Sequence, residues 1–184
     1  MPTLKQQLAY HGFSKAGIAE LTGTDKSIYF RLEPTFSRFR HGMPRGIVYL
    51  WVVLEKSIPK LILYVGGTGG TLGDRCAQHE SDFRNRRRAT VLSYLKHIIS
   101  QGKSIAVYAR ISQLTEHLGE PISSYPMDEK AFLKKFSQIY QLLNIRENKY
   151  TLTFEEQLAE RTALIEQPSP KRRVRAKKTK HPIK

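Results

Sequence analysis

The sequence predicts a mixed α/β fold of the α+β kind, in which a small sheet is flanked by helices. Residues 46–54 and 61–65 are rich in Val, Leu, Ile and Tyr and are separated by a turn containing Pro59, which is the pattern of a buried β-hairpin. Residues 104–111 alternate between two faces and predict a third strand. Several other segments place apolar residues at helical spacing, which predicts the flanking helices.

The first 40 residues predict a helical segment that resembles a helix-turn-helix. Apolar residues up to Leu21 fit a first helix, residues 22–25 fit a turn, and residues 26–32 fit a second helix. The second helix of this motif enters the major groove of DNA, which makes Lys26 and Arg31 candidate DNA contacts. A plain helical hairpin packed on the main domain is the alternative.

Further helices are predicted after the first two strands. A glycine-rich stretch at residues 66–73 follows the second strand, and Thr71 with Asp74 forms a capping box that starts a helix running to about Phe83. Later helices are predicted over residues 90–101, 128–144 and 154–167, the last of them ending before Pro168 and Pro170.

The glycine-rich stretch does not fit a nucleotide-binding loop. A Walker loop ends in Gly-Lys followed by Ser or Thr, whereas Gly73 is followed by Asp74, whose charge would repel a phosphate. The dinucleotide fingerprint requires glycine at position 72, which is Leu72. These glycines are therefore expected to let the backbone turn sharply and to leave room beside a bulky substrate.

Charge is the strongest bulk signal in the chain. The 31 Lys and Arg residues outnumber the 16 Asp and Glu residues and give a net charge of +15, which predicts a polyanionic partner. Residues 168–184 predict a basic disordered tail that binds phosphates, although a tail for anionic surfaces or solubility would have the same composition. The basic run after the glycine-led helix is either a second DNA contact or a solvated loop. The candidate DNA-binding residues of the two segments are Arg84, Arg86, Arg87, Arg88, Lys171, Arg172 and Arg173.

Other bulk features narrow the class of protein. The single cysteine, Cys76, excludes an internal disulfide and every zinc site that needs several cysteines. Met1 is followed by polar residues rather than by a signal sequence, and no run approaches the roughly 20 apolar residues that span a bilayer. We therefore expect a cytoplasmic protein with no membrane partner.

Arg75 and His79 lie four residues apart on the predicted helix, so both side chains project from one face and can touch one phosphodiester. A guanidinium stabilises the charge that builds on phosphate oxygens during hydrolysis. An imidazole or a phenol can accept a proton from the attacking water, and the imidazole pKa of ~6.5 suits that task better. Alternatively, Arg75 pairs with Asp74 or Glu80, and His79 is an ordinary solvated residue.

The strand motifs GIVYLW and YVG, followed by RCAQH, resemble the GIY-YIG nuclease family over roughly residues 44–167. The resemblance implies an α/β/α core with a three-stranded antiparallel sheet, and a catalytic group of Tyr49, Tyr64, Arg75 and His79. The first motif tyrosine falls at Val48 or, with a slip of one residue, at Tyr49. We choose Tyr49 because Val48 has no group for the chemistry, although both tyrosines could also be core aromatics.

The resemblance also implies a glutamate on a later helix that binds Mg²⁺ or Mn²⁺. Glu160, ahead of an apolar pair, is the candidate ligand, and Glu156, one turn earlier, is the alternative. One carboxylate with waters and phosphate oxygens can hold Mg²⁺. The metal would act as a Lewis acid and stabilise the leaving group.

These features lead to the hypothesis of a metal-dependent endonuclease that hydrolyses double-stranded DNA, of the small, site-specific restriction type. The sequence leaves open whether two copies form a homodimer. The competing hypotheses are a non-catalytic DNA-binding protein, which would use the helix-turn-helix and the basic tail, and a binder of structured RNA.

Overall fold

The computed structural model describes residues 2–23, 27–37, 46–85 and 87–143. In these ranges the chain forms a five-stranded antiparallel sheet and a separate two-stranded hairpin, together with helices. The strands are β1 (Ser14–Thr22), β2 (Ser27–Leu32), β3 (Ile47–Glu55), β4 (Ile58–Thr68), β5 (Ser104–Ile111), β6 (Leu114–His117) and β7 (Glu120–Ser123). The helices are α1 (Leu4–Tyr10), α2 (Pro34–Ser37), α3 (Leu72–Arg84), α4 (Ala89–Ser100) and α5 (Tyr125–Ser137).

The large sheet has the strand order β2-β1-β5-β3-β4, and the pairing of β3 with β4 and with β5 confirms the predicted antiparallel arrangement of three strands. β3 lies between β4 and β5, and all of its residues from Ile47 to Leu54 are buried. This double-sided burial explains why β3 reads as a continuous apolar run and not as an alternating one. β5 spans the predicted residues 104–111.

The N-terminal segment corrects the prediction, because two strands replace the two helices of a helix-turn-helix. β1 pairs with β2 on one side and with β5 on the other, so both strands extend the sheet from three strands to five. In β2, buried Ile28 and Phe30 alternate with exposed Tyr29 and Arg31, which is the period of a strand. Over so few residues the apolar positions of β2 fit both periods, and its pairing with β1, which itself pairs with β5, decides between them. Lys26 lies outside the described residues.

Helices cover both faces of the sheet. α3 packs against β2, and its side chains meet Tyr49 and Trp51 of β3. Arg110, the register neighbour of Val48, stacks on Phe132 of α5 with 5.3 Å from the guanidinium carbon to the ring centroid. Because successive strand residues point to opposite faces, α5 covers the face opposite α3. This α/β/α layering agrees with the predicted fold class.

The limits of α3 and α4 follow the sequence prediction, whereas those of α5 differ from it at both ends. α3 begins as expected, with the Thr71 hydroxyl accepting a hydrogen bond from the Asp74 backbone N–H at 3.0 Å. α5 begins three residues before the predicted Asp128 and ends at Ser137, before the predicted end near residue 144. The β6–β7 hairpin ahead of α5 has no counterpart in the prediction. The helix predicted over 154–167 and the tail lie outside the described residues. No helix in the described ranges is long and apolar enough to cross a membrane.

Candidate active site

The site is built where β3 and β4 run side by side beneath α3. Tyr49 of β3 faces Gly66 of β4 in the strand register, and Trp51 faces Tyr64, so the three aromatic rings share one face of the sheet. A Cβ atom at Gly66 would lie 2.6 Å from the Tyr49 hydroxyl and 2.7 Å from the Tyr64 ring. Glycine at this position is therefore what allows both phenols to occupy the same pocket.

Helix α3 places Arg75 and His79 over these tyrosines. The Tyr49 hydroxyl lies 2.7 Å from His79 Nε2, and the Arg75 Nε–H donates to the same hydroxyl at 3.2 Å. Tyr64 is also hydrogen-bonded to this group, and Arg75 donates a further bond to Gln78. The structure thus brings all four residues predicted for the catalytic group into one hydrogen-bonded cluster. It also places Tyr49, and not Val48, next to Arg75.

His79 lies at the bottom of this cluster and is completely buried. Its ring sits among aromatic neighbours, with centroid distances of 4.9 Å to Trp51, 5.6 Å to Tyr64 and 6.3 Å to Phe83. Burial lowers the pKa of His79 to about 3, and the positive charges of Arg75 and Arg88 act in the same direction. The imidazole is therefore neutral near pH 7.

The environment of His79 also selects its tautomer. Within the described residues, His79 Nδ1 has no hydrogen-bond partner. A buried N–H without an acceptor is rarer in proteins than an under-satisfied acceptor, which favours a bare Nδ1 and a hydrogen on Nε2. His79 Nε2–H then donates to the Tyr49 oxygen, which also accepts from Arg75 Nε–H. Two donors converge on one phenol oxygen, and the Tyr49 hydrogen is left for Tyr64 or for a bound molecule.

Tyr49 is the chemically distinctive group of the cluster. Burial raises the pKa of its phenol well above the ordinary value, the neighbouring Tyr64 raises it further, and Arg75 lowers it. The two N–H donors are arranged to stabilise a phenolate at this position. The resulting group can hold or release a proton at the Tyr49 oxygen, beside a guanidinium that can bind a phosphate.

Glu129 is a site residue that the sequence did not indicate. From the first turns of α5, its carboxylate accepts a hydrogen bond from the Gly67 backbone N–H, and a Cβ at Gly67 would lie 2.5 Å from its Oε2. Burial raises the pKa of Glu129, while Arg75 and the Gly67 N–H oppose the rise. Arg75 and Glu129 come from opposite faces of the sheet, and the glycines of β4 remove the side chains that would separate them. The sequence signal, an acidic pair at the start of a helix, is too common to single out this residue.

The predicted basic surface is described only in part. Arg84 and Arg87 are exposed, and Arg87 and Arg88 approach Asp82 at 3.9 Å and 3.8 Å. Arg84 follows Arg75 along α3 by about 14 Å at 1.5 Å per residue. On the edge strand β2, Arg31 is exposed and pairs with Glu20 at 2.9 Å. The candidates outside the described residues are Lys26, Arg86, Glu156, Glu160, Lys171, Arg172 and Arg173.

Comparison with known proteins gives a structural relative but no sequence relative. Neither the known protein families nor the curated proteins contain a match. Among solved structures, a mutant of bacteriophage T4 EndoII matches with a TM-score of 0.51 and 18% identity, over 74% of this chain and 96% of that chain. Restriction endonuclease HPY188I in complex with product DNA matches with a TM-score of 0.41 and 12% identity, over 83% of this chain and 87% of that chain. The chain therefore has the fold of T4 EndoII over almost the whole length of that protein.

Proposed function

We propose that the protein is a metal-dependent DNA endonuclease of the GIY-YIG type. The observation that carries this proposal is the hydrogen-bonded chain from Arg75 through the Tyr49 hydroxyl to His79, next to the half-buried carboxylate of Glu129. An arginine can stabilise the charge on a phosphate, a phenolate can accept a proton from water, and a carboxylate can hold a divalent cation, so this group of residues can carry out phosphodiester hydrolysis. The shared fold with EndoII supports the same assignment.

Hydrolysis forms a bond between a water oxygen and phosphorus and breaks the bond to the leaving oxygen. In our proposal the Arg75 guanidinium binds the phosphate and stabilises the added negative charge. Tyr49, as its phenolate, accepts the proton of the attacking water, and the N–H groups of Arg75 and His79 stabilise that phenolate. Because His79 is buried beneath Tyr49 and neutral, we assign it to supporting Tyr49 and not to contacting water.

The residues present fit a divalent cation held by a single carboxylate. Gly67 leaves the space that the Glu129 carboxylate occupies, and the described residues contain no group of three ligands that would form a complete protein cage. Glu129 would therefore hold Mg²⁺ or Mn²⁺ together with waters and phosphate oxygens. Glu160, or Glu156, would be a further ligand from outside the described residues. The bound cation would supply Lewis acidity and stabilise the leaving oxygen.

The proposed substrate is double-stranded DNA, cut at a specific site as in restriction, by a monomer or by a homodimer. The net charge of +15 supports a polyanionic substrate. Arg84, Arg87 and Arg88 lie along and just after the helix that carries Arg75, so they can contact phosphates beside the one being cut. The alternative of a non-catalytic DNA-binding protein loses its helix-turn-helix, since strands occupy that segment.

The experiment that tests the proposal is cleavage of supercoiled and linear DNA with Mg²⁺ and with EDTA. We expect discrete fragments only with the metal, and loss of cleavage in Glu129→Gln, which keeps the shape of the side chain but removes its charge. Glu55→Gln, at the far end of β3, is the matched control and should cut normally. DNA binding without cleavage under both Mg²⁺ and Mn²⁺ would favour the non-catalytic alternative.

A further inference from the structure

A long-range hydrogen bond joins the N-terminal hairpin to the helix of the candidate active site. The Phe30 backbone N–H of β2 donates to Glu80 Oε1 of α3 at 2.8 Å. β2 is the outer strand of the sheet, where some backbone groups have no strand partner. Glu80 therefore satisfies a backbone donor at the open edge and, at the same time, fixes the edge strand to the helix.

The side chain of the same Phe30 reaches the interior of the site. Its ring stacks on Trp51 at 5.4 Å between centroids, and lies 6.4 Å from the His79 ring and 6.5 Å from Phe83. Phe30 is 3% exposed and His79 is fully buried, so Phe30 forms part of the wall that closes the imidazole pocket. Phe30 thus makes two contacts with α3. Its ring lies against His79, and its backbone N–H donates to Glu80, the residue that follows His79.

These two contacts hold α3 at the helical turn that carries His79. Glu80 follows His79 directly, and His79 Nε2 must stay 2.7 Å from the Tyr49 hydroxyl for the proposed support of the phenolate. A change of about 1 Å in such a geometry can reduce an enzymatic rate about 100-fold. The hairpin packs against α3 rather than extending into solvent, so it can supply this restraint.

We propose that Glu80 and Phe30 are positioning residues, through which the β1–β2 hairpin holds the His79 imidazole against Tyr49 and keeps water out of its pocket. Neither residue is placed in contact with substrate. This inference deepens the proposed function and rests on it for the effect on cleavage. The effect on the His79 environment does not depend on any enzymatic activity.

The acceptor atom, and not the charge, is the essential feature of Glu80. Glu80→Gln keeps a carbonyl oxygen for the Phe30 N–H, whereas Glu80→Leu removes it at similar size. Phe30→Leu keeps the backbone bond but removes the aromatic wall. Glu55→Leu makes the same change at a carboxylate at the far end of β3 and serves as the control. Apart from Glu80 itself, the titratable or charged groups around His79 remain in every variant: Tyr49, Tyr64, Arg75 and Arg88.

The first readout is the titration of the His79 imidazole by NMR. In the wild type, Glu80→Gln and Glu55→Leu, we expect no protonation above about pH 4, in line with the pKa of about 3. In Glu80→Leu and Phe30→Leu, water enters the pocket and the His79 pKa should rise by at least about one unit toward ~6.5. The same two variants should lose DNA cleavage about tenfold or more in kcat with KM little changed.

Two results would overturn the inference. One is a His79 titration in Glu80→Leu and Phe30→Leu that matches the wild type. The other is an equal effect of Glu80→Gln and Glu80→Leu, since charge would then matter and not the acceptor. If the wild type does not cleave DNA, the proposed function fails while the His79 titration still decides this inference. If Glu80→Leu does not fold, Phe30→Leu and Glu80→Gln decide it.

Discussion

Replacing Gly66 with alanine tests whether the glycine of β4 exists to make room for the phenols. The added Cβ would lie 2.6 Å from the Tyr49 hydroxyl, whereas ordinary van der Waals contact begins at 3.4 Å. The phenol must therefore move by about 0.8 Å, the difference of these two distances. Both phenols are nearly or fully buried, so the rings cannot rotate away into solvent. The movement would break or lengthen the hydrogen bonds of Tyr49 to His79 and Arg75.

Overpacking of this kind costs about 1–3 kcal/mol, which corresponds to a fall in Tm of about 2–12 °C for a chain of this size. The displaced hydroxyl should reduce cleavage about 100-fold. Gly70→Ala is the matched control, because a Cβ there meets only Thr68 Oγ1 at 3.7 Å. Calorimetry and single-turnover DNA cleavage measure the two effects. If Gly66→Ala and Gly70→Ala have the same Tm and the same cleavage rate, the packing of Tyr49 against Gly66 does not control the geometry of the site.

Three further predictions concern individual groups of the cluster. Arg75→Lys keeps a positive charge but loses the Nε donor to Tyr49, so single-turnover cleavage should fall about 100-fold, and a rate near wild type would contradict the assigned role. Because burial and Tyr64 raise the pKa of Tyr49, a phenolate base requires log(kcat/KM) to rise with pH from about 6 to 9, and a plateau near pH 7 would exclude it. His79 has a folded pKa of about 3 against ~6.5 unfolded, so the unfolded state takes up the proton first as pH falls. Between pH ~6.5 and pH 3, this group should therefore lower the free energy of unfolding by about 1.4 kcal/mol for each unit that the pH falls. Urea unfolding of His79→Gln should not show this pH dependence, and a pH dependence equal to that of the wild type would contradict the argument.

The strands and the helix that form the site can be predicted from the sequence because the patterns that mark them are local. The strands β3, β4 and β5 have apolar runs or alternation, and Thr71 marks the start of α3. Once that helix is placed, Arg75 and His79 share a face by geometry alone. Their contact with Tyr49 then depends only on the pairing of two adjacent strands.

The N-terminal hairpin and Glu129 depend on contacts that sequence spacing does not contain. The apolar residues of β2 fit helical and strand periods over six residues. Its pairing partner β1 pairs in turn with β5, which lies about 90 residues further along the chain. Glu129 reaches the site because α5 crosses beneath Gly67, and no local pattern fixes that crossing. Both features are decided by long-range packing.

The most direct measurement of the central claim is DNA binding and DNA cleavage by Arg75→Ala on the same preparation as the wild type. We expect the variant to bind DNA with a Kd within about threefold of wild type, since most of the net positive charge remains. Its Mg²⁺-dependent cleavage should fall at least about 100-fold, because the phosphate and Tyr49 both lose their guanidinium partner. Cleavage at the wild-type rate by Arg75→Ala would show that the cluster of Arg75, Tyr49 and His79 is not the active site.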